Sequence, residues 1–420
     1  MRKLLLGVCC SFVVASAWAQ QAPKPPAVPP PPAVQPFVPP ALSRGVTFTP
    51  FRPPAPAPLA PNDAVQRRSE EIRQQVQDAV QGVQQSGDAL KDAMPRNVPA
   101  LGDAADQTVE QCLDGAFIQF DNSNKFLSAE QWRRMLDRMR AAKCSIIILQ
   151  YLEKRDKHSA ATAERYVPQR YGDPDPVAVI LDYADKNQMA VFIGLRLDPR
   201  LEGSMFLNNP AQLREGLKEE LPKNIALARE ITARYGLNAR RSFAGWYLPV
   251  EVANYTENFT GESSWVSQLN QFSKVLVTEC KRLVNRPVAV SPYFNATKEA
   301  WLTSAKEFGE ACTRLLKGSG VSIVMLQDGV GARNIPASRI HGWVAPFRDS
   351  IALACKEAST PAQPIEFWLN VESIGADINR LHKQMKMGKG HAKRLVTFDF
   401  PHHLNQPNLY DAYLKLISER

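Results

Sequence analysis

The sequence predicts an α/β fold: a closed (β/α)8 TIM barrel preceded by a signal peptide, a proline-rich disordered tether and an amphipathic helix. Three observations carry the barrel. After Cys112, eight short apolar runs alternate with eight amphipathic segments, no glycine-rich phosphate loop follows the first run, and polar residues end every run rather than clustering at one of them. A doubly wound open sheet uses the same alternation and is the alternative.

Residues 1–19 read as a secretory signal peptide. Arg2 and Lys3 precede an apolar stretch from Leu4 to Ala15, and Ala17-Trp18-Ala19 gives the small-x-small cleavage pattern. That stretch is too short to span a bilayer as a helix, so cleavage leaves no integral span. An uncleaved anchor and a lipid-modified Cys9 or Cys10 are the alternatives. The expected location is periplasmic or secreted.

Residues 20–61 form the linker, and its stretch from Gln21 to Pro61 holds 16 of the 33 prolines. With alanine and valine as the other main residues it cannot build a core and should be an extended tether. Residues 62–112 then switch to a helical period. Asn62 can cap, and Val65, Ile72, Val76, Val80, Val83 and Leu90 recur at three, four or seven. This narrow stripe can dock on the barrel wall or zip against a partner helix. The arm and this helix are therefore where a protein partner would be met.

Residues 113–420, about 300 in all, suit one barrel. The apolar runs are 116–120, 145–151, 189–195, 243–248, 287–291, 321–326, 365–371 and 394–400. The helical segments between and after them are 128–142, 176–187, 210–235, 263–283, 298–316, 337–356, 378–387 and 408–418.

The formal charge of +9 is unevenly spread, with an excess of base in residues 1–62, an excess of acid in 63–112 and base again in the barrel. The densest basic patch is Arg380, Lys383, Lys386, Lys389, Lys393 and Arg394, expected at the barrel end opposite the active face. It reads as a solvated face before an anionic surface, and no nucleic-acid motif accompanies it. Cleavage of the signal leaves Cys112, Cys144, Cys280, Cys312 and Cys355. A bridge between Cys112 and Cys144 and burial as small hydrophobes are both open. No C-x-x-C pair or His/Asp cluster asks for a metal, and no cofactor is implied.

In a barrel the working residues lie at the carboxyl ends of the strands. Those ends carry Gln119 and Asp121, Gln150 and Tyr151, Arg196 and Asp198, Glu251, Asn254 and Tyr255, Tyr293 and Asn295, Gln327 and Asp328, Trp368, Asn370 and Glu372, and Asp399 with His402. Carboxylates and amides satisfy sugar hydroxyls while aromatic faces pack on a pyranose, so the expected ligand is a polysaccharide or oligosaccharide. Glycosidic cleavage needs two carboxyl groups facing across the bond. Glu251 and Glu372, at the ends of the fourth and seventh runs, are the candidate pair. Tyr293 and Asn370 are candidates to orient a nucleophile, and Gln327, Asp328 and Gln150 to bind hydroxyls, although Asp328 can replace either member of the pair. Arg196 and Asp198 also read as a rim ion pair, and Trp246 and Trp368 as core residues if they face the wall.

The segments GAFIQFDNSNKFLSAEQW, GWYLPVE, SPYF, LQDGVGA and WLNVE, in that order, resemble the bacterial glycosidase-like barrel family catalogued as domain of unknown function 4434. The resemblance covers about residues 113–400. It implies a retaining glycoside hydrolase with the acid/base at Glu251 and the nucleophile at Glu372. Val250 stands where that wider group of hydrolases commonly has the asparagine that holds the sugar 2-hydroxyl. The other reading is a sugar-binding scaffold of a polysaccharide export system that no longer turns over.

Overall fold

The computed structural model describes residues 112–156, 163–168, 174–201, 209–296, 300–357 and 365–419. The segments expected as signal peptide, tether and amphipathic helix lie outside the described residues. Within the described residues, eight parallel strands close into a barrel. With all strands numbered along the chain, these are β1 (Gly115–Ile118), β2 (Ile146–Leu149), β5 (Ala190–Gly194), β7 (Phe243–Leu248), β8 (Val288–Val290), β9 (Ile323–Gln327), β10 (Glu366–Glu372) and β11 (Arg394–Phe398). Pairing of β1 with both β2 and β11 completes the ring, which excludes the open doubly wound sheet.

A small outer sheet departs from the predicted alternation. Strands β3 (Glu153–Arg155), β4 (Ala163–Arg165) and β6 (Arg196–Leu197) pair beside the mouth, in the order β4-β3-β6. They are two or three residues long and charged, so they carry no apolar signal. Arg196 ion-pairs with Glu153 and, at 2.5 Å, with Glu220, while Arg155 approaches Asp198 at 3.4 Å.

Most helices begin where the sequence supplies a cap. Helix α1 (Ala129–Ala141) starts at a reciprocal capping box in which Ser128 accepts the Gln131 amide and Gln131 accepts the Ser128 amide. Asp175 and Asn209, each followed by proline, cap α2 (Pro176–Asn187) and α3 (Pro210–Tyr235). Ser264 caps α4 (Trp265–Leu283) and Ser304 with Glu307 boxes α5 (Ala305–Leu316). Helix α5 thus begins later than the apolar pattern suggests, because the box fixes its first turn. The ring is completed by α6 (Ile340–Glu357), α7 (Ile378–Lys389) behind the Asp377 cap, and α8 (Pro407–Ser418).

Strand side chains alternate between two cores, as the two-residue period of a strand requires. Phe117, Ile148, Phe192, Tyr247, Met325 and Trp368 fill the barrel. Their outward neighbours, such as Leu149, Trp246, Leu326 and Leu369, meet the helices in a second, larger core. The barrel axis is therefore packed with side chains below its mouth, leaving the carboxyl-end loops as the place for a site. Cys144, Cys280 and Cys312 are buried as small hydrophobes, and burial pushes their thiols up, Cys280 to about 12.

Candidate active site

Glu372 is the last residue of β10. Two-residue alternation places Trp368, Asn370 and Glu372 on the inner side, at successive heights toward the mouth. The loop after β9, residues 328–334, folds over Glu372. Gly329 turns it with a φ of +69°, and Gly331 packs so closely that a Cβ there would sit 2.6 Å from Glu372 Cβ. The Ala332 amide donates to Glu372 Oε2 at 2.7 Å, and the Gly331 amide donates to the same carboxylate. Only 3% of Glu372 is exposed.

Beneath it lies a second carboxylate. Asp328 is fully buried and accepts the Val330 amide at 3.0 Å, the Glu372 amide at 3.3 Å and Gln384 Nε2 at 2.7 Å. Burial pushes both acids up, and the charge of Asp328 adds to the rise at Glu372. The Gly331 and Ala332 amides oppose that rise by binding the ionised form.

Glu251 lies three residues beyond β7 and is half-buried. Burial raises its pKa and the Lys154 ammonium opposes the shift. It borders a small cavity of about 20 Å³ together with Arg196, Asp198, Glu220, Asn224 and Phe272. Glu372 is not among the residues lining that cavity. A polar layer crosses the barrel near its mouth. Tyr247 is hydrogen-bonded to Ser291, the Ser291 hydroxyl donates to the Met325 carbonyl at 2.7 Å, and Asn370 Nδ2 donates to Ser291 Oγ at 3.4 Å. Gln327 Nε2 joins it through the Ser291 carbonyl at 3.2 Å. Asn370 Oδ1 and Gln150 Oε1 are buried with no protein partner.

On the β1–β11 side the strand-end histidine His402 is held between two acids. His402 lies in a short π-helical turn, with Nδ1 2.8 Å from Asp399 Oδ2 and Nε2 3.1 Å from Asp121 Oδ2. Burial lowers its pKa, but hydrogen bonds to Asp121 and Asp399 outweigh this and raise it to about 10. Asp399 also accepts the Gln119 amide at 3.2 Å. The spacing Asp399-x-x-His402 is the signal the sequence offers for this arrangement.

Several residues expected to contact sugar have structural duties. Trp368 is 1% exposed inside the barrel, against Phe192, with its indole N–H donating to Glu366 at 3.0 Å. Tyr151 is buried, donating to the Phe120 carbonyl and accepting from Gln119 Nε2. Asn254, fully buried, straps two loops by donating to the Asn295 and Thr303 carbonyls and accepting the Asn295 amide. Arg196 is committed to its ion pairs, and Asp328 supports Glu372 from below. Tyr255 and Tyr293 meet hydroxyl to hydroxyl at 2.8 Å, with Tyr293 half-buried. The basic patch is also divided. Arg380 sits at the carboxyl-end face, donating to the Ile374 carbonyl at 2.5 Å near Asp328 and Glu372, whereas Lys393 and Arg394 pair with Glu366 and Asp114 at the opposite end.

Among the described residues there is no group of three or more metal-ligating side chains, and no helix long and apolar enough to cross a membrane.

Residues 113–411 match the family described as Domain of unknown function (DUF4434). No curated protein sequence matches the chain. Among solved structures, a candidate alpha-L-fucosidase from Bacteroides thetaiotaomicron VPI-5482 superposes with a TM-score of 0.54 at 17% identity, covering 75% of this chain and 99% of that one. The endo-beta-1,4-mannanase from Thermotoga petrophila gives 0.45 at 12% identity, over 74% of this chain and 77% of its own. An old yellow enzyme homologue from Zymomonas mobilis gives 0.40 at 13%, over 67% and 84%. At these identities the likeness is one of fold.

Proposed function

The chain belongs to the family of domain of unknown function DUF4434, and from that premise we propose that it is an exported glycoside hydrolase acting on an envelope or extracellular polysaccharide with retention of configuration. The observation that carries this reading is the pair of carboxyl groups following β7 and ending β10, Glu251 and Glu372, each with its pKa raised by burial at the carboxyl-end face of the barrel. In this reading Glu251 protonates the leaving glycosidic oxygen while Glu372 Oε1 attacks the anomeric carbon. Water activated by Glu251 then releases the sugar from Glu372. The Gly331 and Ala332 amides favour the ionised form of the nucleophile against the rise that burial and Asp328 impose, and they fix its direction. Such a reaction needs the two carboxyls about 5–5.5 Å apart.

A second reading, a sugar-binding scaffold without turnover, is favoured by one observation: Glu372 is 3% exposed and Glu251 borders a cavity that Glu372 does not line. Cleavage and binding separate the two. In the hydrolase reading the wild-type chain releases reducing ends from at least one polysaccharide, and Glu251→Gln and Glu372→Gln each abolish release while the polymer still binds. Binding without release by the wild type across a broad glycan panel supports the scaffold.

A further inference from the structure

Phe126 is 68% exposed, on the loop that follows β1 at the same face as the two acids. That loop is firmly built. Asn124 is 3% exposed, donates to the Gln119 carbonyl at 2.7 Å and accepts the Asp121 amide at 3.1 Å. The Lys125 amide returns to the Asp121 carbonyl at 3.0 Å, and the Leu127 amide to that of Asn124 at 3.1 Å. A fixed loop thus holds an aromatic ring in water with the Lys125 ammonium 5.0 Å from its centre.

A second ring stands on the far side. Trp301, half-buried in the loop between β8 and α5, stacks on Tyr255 with centroids 6.1 Å apart and planes at 26°, and its carbonyl accepts the Thr256 amide at 3.0 Å. In the ring order β1-β11-β10-β9-β8-β7-β5-β2, strands β1 and β8 are four apart in either direction. They are therefore diametrically opposed. The line joining their loops has β10, with Glu372, on one side and β7, leading to Glu251, on the other.

We propose that Phe126 and Trp301 are two sugar-stacking platforms at opposite ends of one groove, so that the ligand is a linear polysaccharide gripped along its interior and passing between Glu251 and Glu372. This rests on the carbohydrate reading of the mouth and extends it to chain-internal binding. Aromatic rings serve this purpose because they cover the apolar face of a sugar with a broad surface that has no charge to satisfy.

The test is calorimetric binding of hexasaccharides and disaccharides of glucose, mannose, xylose and N-acetylglucosamine to the full chain bearing Glu372→Gln, which prevents turnover. A hexasaccharide should bind more tightly than its disaccharide. Phe126→Ala and Trp301→Ala should each weaken the hexasaccharide by about three- to ten-fold, the range expected for one aromatic contact, and leave the disaccharide unchanged. Phe126→Tyr and Trp301→Tyr should retain binding, which guards against a misfolded alanine variant. Hexasaccharide affinity that both alanine variants leave intact, or no hexasaccharide binding at all, overturns the groove. Ring-dependent binding by a wild-type chain that cleaves nothing supports the groove while removing the hydrolase, and cleavage with ring-independent binding does the reverse.

Discussion

Asp328 and Glu372 are tied to each other through the backbone: the Asp328 carboxylate accepts the Glu372 amide at 3.3 Å, so one buried acid sets both the position and the field of the other. Gln384 closes the arrangement, donating to Asp328 Oδ2 at 2.7 Å and to the Glu372 carbonyl at 3.1 Å.

Asp328→Asn removes the like charge beside Glu372. The Glu372 pKa, raised first by burial and next by Asp328, should fall. If Glu372 acts ionised, the acid limb of the kcat/KM profile moves to lower pH, and a pH–rate profile reads this directly. The substituted amide can be accepted by Gln384 Oε1 only if Gln384 turns and gives up its bond to the Glu372 carbonyl, so a stability loss of about 1–3 kcal/mol should accompany the shift.

Gly331→Ala should disable the site while keeping the fold. The added carbon would lie 2.6 Å from Glu372 Cβ and 3.1 Å from Oε2, so the loop must move off the carboxylate. Overpacking of this kind costs about 1–3 kcal/mol. Chemical denaturation should show that loss, and catalysis should fall further than stability does.

His402 gives a pH signature. Its folded pKa, about 10, lies above the ordinary value of 6.5. A histidine raised on folding contributes stability that is complete below the unfolded pKa and is lost as pH rises through the folded one. The melting temperature of the wild type should therefore decline between about pH 6.5 and 10, whereas His402→Gln should lack that component. A pH series of melting curves on both chains measures it.

Asn254→Ala separates a strut from a sugar contact at Asn254. Its side chain makes three hydrogen bonds to the backbone of Asn295 and Thr303. Leaving these groups unsatisfied should cost about 1–3 kcal/mol or more, seen in urea unfolding, with little change in the affinity of any bound sugar.

The barrel was legible because its eight strands are nearly continuous apolar runs and its helices carry their caps in the sequence, as at Ser128, Asp175, Asn209 and Ser304. The charged strands β3, β4 and β6 were not, since nothing in Glu-Lys-Arg or Ala-Glu-Arg distinguishes a strand from a loop until Arg196 and Glu153 are brought together. Strand-end position picked out Glu372, and the same alternation counted two steps back puts Trp368 inside the barrel rather than in a cleft. The support of Glu372 by Gly331, Ala332 and Gln384 depends on loop closure and on contacts between distant segments, which periodicity does not encode. Sequence placed His402 at a strand end but not between two acids, because the second of them, Asp121, lies nearly the whole barrel away along the chain.

A crystal structure of the Glu251→Gln variant with a hexasaccharide bound decides whether the two acids share one substrate. A retaining hydrolase should hold a glycosidic bond between residues 251 and 372, with their amide and carboxyl groups about 5–5.5 Å apart. A sugar bound elsewhere, with Glu372 still sealed beneath the 329–334 loop and residue 251 turned toward Arg196, would contradict it.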